Sequence, residues 1–356
     1  MTDTLLIFPC GMPESLKQRD RARLQGQTLI GASSLDFDPA ATGYDVWEKL
    51  PYVHEDGFMD AFVDLLDRHG IGTVFAPHDV IGSVLTARLP TLRPAVRLLN
   101  NFPWKSAELD YEVLHRRGAE IEAACDWLPT GPGTRPRLAG AHLNGTLRLV
   151  DSISGMCDND KIAALIEVFR DVPEGDIVEI GSWWGRSAAL LLLLSRHYGL
   201  GPVLCLDPWS EEGMSQGVEA LDKVSASLSV DRAFSIFRCN MAPLSNGRLN
   251  YIRKAAHAAA EDYRPGLRLS TDLGETAYTG EIALLHIDGN HVYENVVLDE
   301  TLWTPHVRSG GYIVFDDYVW PFGDGPQRVG DAYLAAHADR IAHSFVMGTS
   351  LFIKLA

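Results

Sequence analysis

The chain is short of cysteine, of basic charge and of long apolar runs. Its five cysteines, Cys10, Cys125, Cys157, Cys205 and Cys239, are scattered, odd in number and never spaced Cys-x-x-Cys. That usage argues against a disulfide-stapled scaffold and for reduced thiols in a cytoplasmic protein. Lysine and arginine number 31 against 47 acidic residues, a formal charge of −16. A protein that grips a phosphate backbone needs a basic face to displace counterions, so nucleic acid is not an expected partner. The longest uninterrupted apolar block, residues 188–194, is seven residues long, against the roughly 20 that span a bilayer. No cationic region precedes the apolar residues 5–8, so neither a membrane partner nor a secretory signal is expected. Internal repeats and low-complexity tracts are also missing.

What is present is ordinary globular material: 46% hydrophobic and 22% charged residues in a chain of 356, too long for one core and suited to two domains. Residues 5–8, 28–32 and 73–76 read as short buried strands, with helices over 58–68 and 108–127, an α/β alternation that favours a parallel sheet. Residues 129–136 carry three prolines and two glycines, a density that sustains neither helix nor central strand. The expected division is therefore an N-terminal α/β domain over 1–128, a linker over 129–150 and a second domain over 151–356. In the latter, an amphipathic helix is expected over 158–172, strands over 176–180, 202–206, 250–253, 282–287 and 312–315, and a closing hairpin from 344–348 and 350–355.

Two groups of residues carry chemistry. Residues 284–287 run into Asp288-Gly-Asn-His291, and residues 312–315 run into Asp316-Asp317, 28 residues after Asp288. In an open parallel sheet the carboxyl ends of neighbouring strands share one crevice, so three carboxylates and an imidazole are expected together. Such a set suits Mg²⁺ or Mn²⁺ better than zinc, which prefers cysteine and histidine. Asp288, Asp316 and Asp317 are the expected metal ligands and His291 the expected base, its ordinary pKa being near neutral. Asp317 reaches the same ion as Asp316 only if the chain turns there, because adjacent residues of a strand face opposite ways.

The second group, Glu179-Ile-Gly-Ser-Trp-Trp-Gly-Arg-Ser187, stands where a strand turns into a helix, whose N-terminus favours an anion. A nucleoside-containing ligand is expected there. The loop departs from the Gly-x-Gly-x-x-Gly of dinucleotide folds, and Asp207 at the next strand end is placed to accept from ribose hydroxyls. Trp183 and Trp184 either flank the ligand or pack beneath the helix. Arg186 either caps a carboxylate or is solvated, and residues 321–327 form a lid or a surface connection.

From about residue 152 onward the chain resembles class I S-adenosylmethionine-dependent methyltransferases, and among them the metal-dependent sugar O-methyltransferases of the macrocin and mycinamicin type. Glu179-x-Gly-x-x-x-Gly185 is similar to their first motif, Asp207 to their ribose-binding acid, and Asp288-x-x-His291 with Asp316-Asp317 to their metal and base set. The resemblance implies a Rossmann-like fold with a mostly parallel sheet and an antiparallel C-terminal hairpin. It implies S-adenosylmethionine contacts from Glu179, Gly181, Ser182, Trp183, Gly185, Ser187, Asp207 and Asp288, and an acceptor that is a small molecule or glycoside with adjacent oxygens. Arg253-Lys-Ala-Ala256 replaces the small turn common after the third strand, which leaves adenine contacts unassigned. Residues 5–81 resemble the Rossmann-like domain that precedes ATP-grasp folds, in Leu6-Ile-Phe-Pro-Cys-Gly11, Leu29-Ile-Gly-Ala-Ser-Ser34 and Val74-Phe-Ala-Pro-His78. That domain is expected to shape an acceptor pocket or build a homo-oligomer. Two rival functions remain: an NAD-dependent oxidoreductase or epimerase, weakened by the absence of a Tyr-x-x-x-Lys pair, and a non-catalytic binding scaffold.

Overall fold

The short, mainly aliphatic runs at 5–7, 177–180, 203–206 and 282–287 form strands in the computed structural model, which describes residues 4–100, 103–126, 128 and 135–356. The chain divides into two units, Met1–Val113 and Leu114–Ala356. The division falls inside the Pro103–Cys125 helix rather than at 128. Trp127 and residues 129–134 of the expected helix and linker lie outside the described residues. From residue 140 onward that linker is replaced by the helix Gly140–Asp151, while residues 135–139 stay outside any helix or strand. The proline and glycine density ends at 136, and Leu143, Leu147 and Val150 then recur at helical spacing and are buried.

In the first unit β1 (Thr4–Ile7), β2 (Thr28–Ser33), β3 (Val46–Lys49), β4 (Thr73–Phe75) and β5 (Arg97–Leu99) form a parallel sheet ordered β3-β2-β1-β4-β5. The two edge strands, β3 and β5, escape pattern reading because neither has a fully buried residue. The helix Phe58–His69 buries Phe58, Phe62, Leu65 and Leu66 against the sheet and stops at Gly70, whose φ of 59° suits glycine.

The second unit contains β6 (Asp176–Ile180), β7 (Val203–Leu206), β8 (Leu249–Ile252), a small antiparallel hairpin β9 (Arg268–Thr271) and β10 (Gly274–Ala277), then β11 (Ile282–Ile287), β12 (Val307–Phe315), β13 (Ile341–Met347) and β14 (Ser350–Leu355). The main sheet runs β13-β14-β12-β11-β6-β7-β8. It is parallel from β8 to β12, and β14 inserts antiparallel between β12 and β13. This is the expected mostly parallel sheet with an antiparallel C-terminal hairpin.

The helix expected over 158–172 is Asn159–Phe169. Asp158 caps it by accepting from the Lys161 backbone N–H at 2.8 Å, a contact worth about 1 kcal/mol. It is not amphipathic: every residue from Lys161 to Phe169 is buried. Among the described residues no helix is long and apolar enough to cross a membrane, and the cysteines are free thiols.

Candidate active site

Strand order reverses between β6 and β11, so the crevice at the carboxyl ends of the sheet opens between them. Ile287 is level with Ile180 on one side and Phe315 on the other. Asp288 and Asp316 are each one residue past those pairs, and their backbone N–H groups donate to Ile180 and Ile287 at 2.8 and 2.9 Å. The two carboxylates therefore emerge side by side. Strand β12 ends at Phe315, and Asp317 has a φ of 50°. That left-handed turn brings Asp317 back toward the same space, the condition under which adjacent aspartates can converge.

Ligand atoms of Asp288, His291 and Asp317 all lie within 4.8 Å of one another, and those of His286, Asp288 and Asp316 form a second, deeper group. The oxygen-rich outer group fits a hard divalent cation. His291 Nε2 is 3.2 Å from Asp317 Oδ2, but neither ring nitrogen makes a hydrogen bond. Burial pushes the imidazolium down to about 4, so the ring is neutral at pH 7 and can accept a proton. Burial also raises Asp317 to about 6, with the charge of Asp316 adding to the shift. Burial, then Asp316, pushes Asp288 well up. Asp316 goes the other way: the nearby Lys161 ammonium overcomes the effect of burial and holds it well below the usual range.

The His291 loop is clamped from two sides. Its backbone N–H donates to Gln216 Oε1 at 2.9 Å, and the Asn290 amide donates to the Ser215 carbonyl. Asp222 fixes those two partners, accepting from Gln216 N at 2.7 Å and from the Ser215 hydroxyl at 3.1 Å. On the other side the Trp320 ring stands edge-on to His291, 4.4 Å between centroids. Residues 321–327 are thus continuous with a wall of the site, and a Cβ on Gly325 would come within 2.1 Å of the His291 carbonyl.

The loop between β6 and the helix Arg186–Tyr198 is held by its own polar groups. Asp207 accepts from the backbone N–H of Ser182 at 3.1 Å and of Trp183 at 2.9 Å through Oδ2, and from Trp209 at 2.7 Å through Oδ1. Ser182 donates its hydroxyl to buried Glu179 at 2.6 Å. Glu179, Ser182 and Asp207, expected to touch a cofactor, here shape the loop that would receive it. Trp183 and Trp184 stack with centroids 5.8 Å apart and pack against the core, and Trp209 Nε1 donates to the Trp183 carbonyl at 2.8 Å. Gly185, φ 92°, is the N-cap of the following helix and offers no side-chain cap, which leaves the N-terminal N–H groups of its first turn open to a ligand. Ser187 is buried in that turn. Arg186 is not solvated: it donates to Asp151 at 2.7 Å and to the Ile153 carbonyl at 3.1 Å. Gly181, φ 85°, is required for another reason: a Cβ there would fall 1.9 Å from the Asp288 carbonyl oxygen. The glycine loop and the acidic loop are packed backbone to backbone.

Sequence reasoning missed Lys161 and His286. Lys161 is 2% exposed and donates to Asp316, with Asp288 Oδ2 3.5 Å away. His286 is fully buried, its nitrogens 3.5 Å from Glu179 and 3.7 Å from Asp316. For His286 the available signal was a lone polar residue inside an otherwise apolar strand; Lys161, beside Asn159 and Asp160 in the first turn of its helix, left none.

Residues 178–318 match the family described as Methyltransferase domain. A curated relative, the 8-demethyl-8-(2,3-dimethoxy-alpha-L-rhamnosyl)-tetracenomycin-C 4'-O-methyltransferase of Streptomyces olivaceus, is 27% identical over 193 residues, covering 53% of this chain and 69% of that protein. Among solved structures, the O-methyltransferase NovP is 18% identical with a TM-score of 0.41, covering 70% of this chain and 99% of its own. The MycE methyltransferase of the mycinamycin biosynthetic pathway, in complex with Mg and SAH, is 18% identical with a TM-score of 0.36, covering 63% of this chain and 56% of its own. Residues 178–318 are thus similar to methyltransferase domains, and they span most of the parallel part of the second unit's main sheet.

Proposed function

We propose that the protein is an S-adenosylmethionine- and divalent-cation-dependent O-methyltransferase acting on a hydroxyl of a sugar or glycoside, with His291 as general base. The observation that carries the reading is the convergence of Asp288, Asp317 and His291 within 4.8 Å, beside a glycine loop that abuts Asp288. The rhamnosyl acceptor in the name of the Streptomyces olivaceus relative supports the substrate class.

S-adenosylmethionine would supply a methyl group already activated on a sulfonium, and Mg²⁺ or Mn²⁺ a Lewis acid beside the acceptor oxygen. The residues of the chain then have separate tasks. The carboxylates of Asp288 and Asp317 would hold the cation, and the uncapped N-terminus of the Arg186–Tyr198 helix would offer backbone N–H groups to the donor. A ring nitrogen of His291 would take the acceptor hydroxyl's proton as the O–CH3 bond forms and the donor's S–CH3 bond breaks, its electron pair staying on sulfur and S-adenosylhomocysteine leaving. An imidazole whose conjugate acid titrates at about 4 is a weak base toward an alcohol with a pKa close to that of water, about 16. It therefore works with the cation rather than in place of it.

The test is methyl transfer from labelled S-adenosylmethionine to rhamnosylated acceptors and nucleotide sugars. EDTA is expected to abolish transfer and added Mg²⁺ to restore it. Transfer that survives EDTA would remove the metal from the reading, and donor binding without transfer to any acceptor would favour a scaffold. Gln216→Ala, which frees the His291 backbone, is expected to lower kcat by about 10- to 100-fold through misplacement of the base. Its unfolding midpoint should stay within about 2 °C of wild type, because the segment is a surface one. A kcat unchanged in that variant would show that the clamp does not position His291.

A further inference from the structure

The acidic cluster contains a positive charge of its own, and its placement divides the carboxylates into two kinds. Lys161 lies in the first turn of a helix buried on all sides, and its ammonium donates to Asp316 Oδ2. The second Asp316 oxygen accepts from the hydroxyl of Ser350, itself fully buried at the start of β14. His286 Nε2 faces the same carboxylate at 3.7 Å, and neither nitrogen of that fully buried ring has a hydrogen-bond partner. Asp316 is thus enclosed by a helix and a strand end that each donate to it, and by a neighbouring strand whose imidazole stands 3.7 Å away. Asp317 is different. Its side chain is 22% exposed against 7% for Asp316, and it stands 3.2 Å from the His291 ring.

A buried ammonium survives only next to a carboxylate, and separating the two leaves an uncompensated charge in the core. A divalent ion drawn onto Asp316 would displace Lys161 or sit against it. We propose that Lys161 is a resident cation of the cluster: its ammonium keeps Asp316 for itself, and the divalent ion is left to Asp288 and Asp317. Asp316 is then a positioning residue, and Lys161, 3.5 Å from Asp288, weakens the hold of the site on its metal by like-charge repulsion. With two protein carboxylates on an octahedral ion, about four positions remain for water and acceptor oxygens. An ion that binds loosely and keeps open positions suits an acceptor that chelates through adjacent oxygens. The metal part of this assignment rests on the function proposed above; the Lys161–Asp316 pairing does not.

The experiment measures Mn²⁺ binding by calorimetry, and unfolding midpoints without metal, for the full chain and for Lys161→Met, Asp316→Asn, Asp317→Asn and the Lys161→Met/Asp316→Asn double variant. Lys161→Met is expected to bind Mn²⁺ at least about tenfold more tightly, since it removes a neighbouring positive charge. Asp317→Asn should lose binding, whereas Asp316→Asn should weaken it by no more than about tenfold, the low end for a group outside the coordination shell. Each single variant of the Lys161–Asp316 pair should lower the midpoint by about 10 °C, with the double variant recovering most of the loss. Weaker Mn²⁺ binding in Lys161→Met, or loss of binding in Asp316→Asn with an unshifted midpoint, would overturn the assignment. If the wild-type protein takes up no Mn²⁺, the metal-dependent function fails. The unfolding cycle then decides the pairing by itself, and additive losses would reject it.

Discussion

Alanine at position 291 is expected to lower turnover by about 10²- to 10⁴-fold, the usual yield of a positioned acid or base, and to leave donor affinity unchanged. The asymmetry follows from the contacts of His291. Its ring makes no hydrogen bond, so truncation orphans no buried partner. Its backbone N–H stays with Gln216, so the loop keeps its path. What is lost is the proton acceptor beside Asp317 and the edge-on packing of Trp320. Single-turnover transfer and a calorimetric titration with S-adenosylmethionine check the two halves separately. Turnover equal to wild type would remove His291 as the base; a parallel loss of donor binding would make it a structural residue.

The second large effect is expected at Gly181. Alanine there meets the Asp288 carbonyl oxygen at 1.9 Å, and neither group is the end of a flexible side chain. The φ of 85° adds a conformational cost for any residue with a Cβ. Together these should destabilise the second unit by about 4 kcal/mol or more, in the range reserved for buried disruptions, or force the two loops apart. In any population that still folds, donor and metal binding should fail together, because one contact sets the spacing of both. Chemical denaturation and Mn²⁺ titration read the two outcomes. Donor affinity lost with Mn²⁺ binding intact would show that the two loops are not coupled through this contact.

The parts of this design that were legible in the sequence are those where an apolar run stops abruptly. Residues 284–287 ending on Asp288 and 312–315 ending on Asp316 gave both strands and placed the acids at their carboxyl ends. The turn that lets Asp317 join them could not be read, since a left-handed aspartate leaves no pattern. Strands β3, β5, β9 and β10 were missed because their residues are mostly half-exposed or exposed, and burial is what apolar periodicity reports. Lys161 was invisible for the opposite reason. A lysine early in a helix ordinarily faces water, and its burial follows from a carboxylate 155 residues away. The ligand roles given to Glu179, Ser182 and Asp207 came from their place in a motif. Their hydrogen bonds run largely to the loop itself.

That internal bonding bears on the thermodynamics of cofactor uptake. A turn whose amides are already tied to Asp207, and whose serine is tied to Glu179, has its shape dictated by the polypeptide and not by its guest. Association then carries little ordering entropy from that turn. Donor and spent product should accordingly dock in lock-and-key fashion, with their difference in affinity arising from the sulfonium charge and not from induced fit.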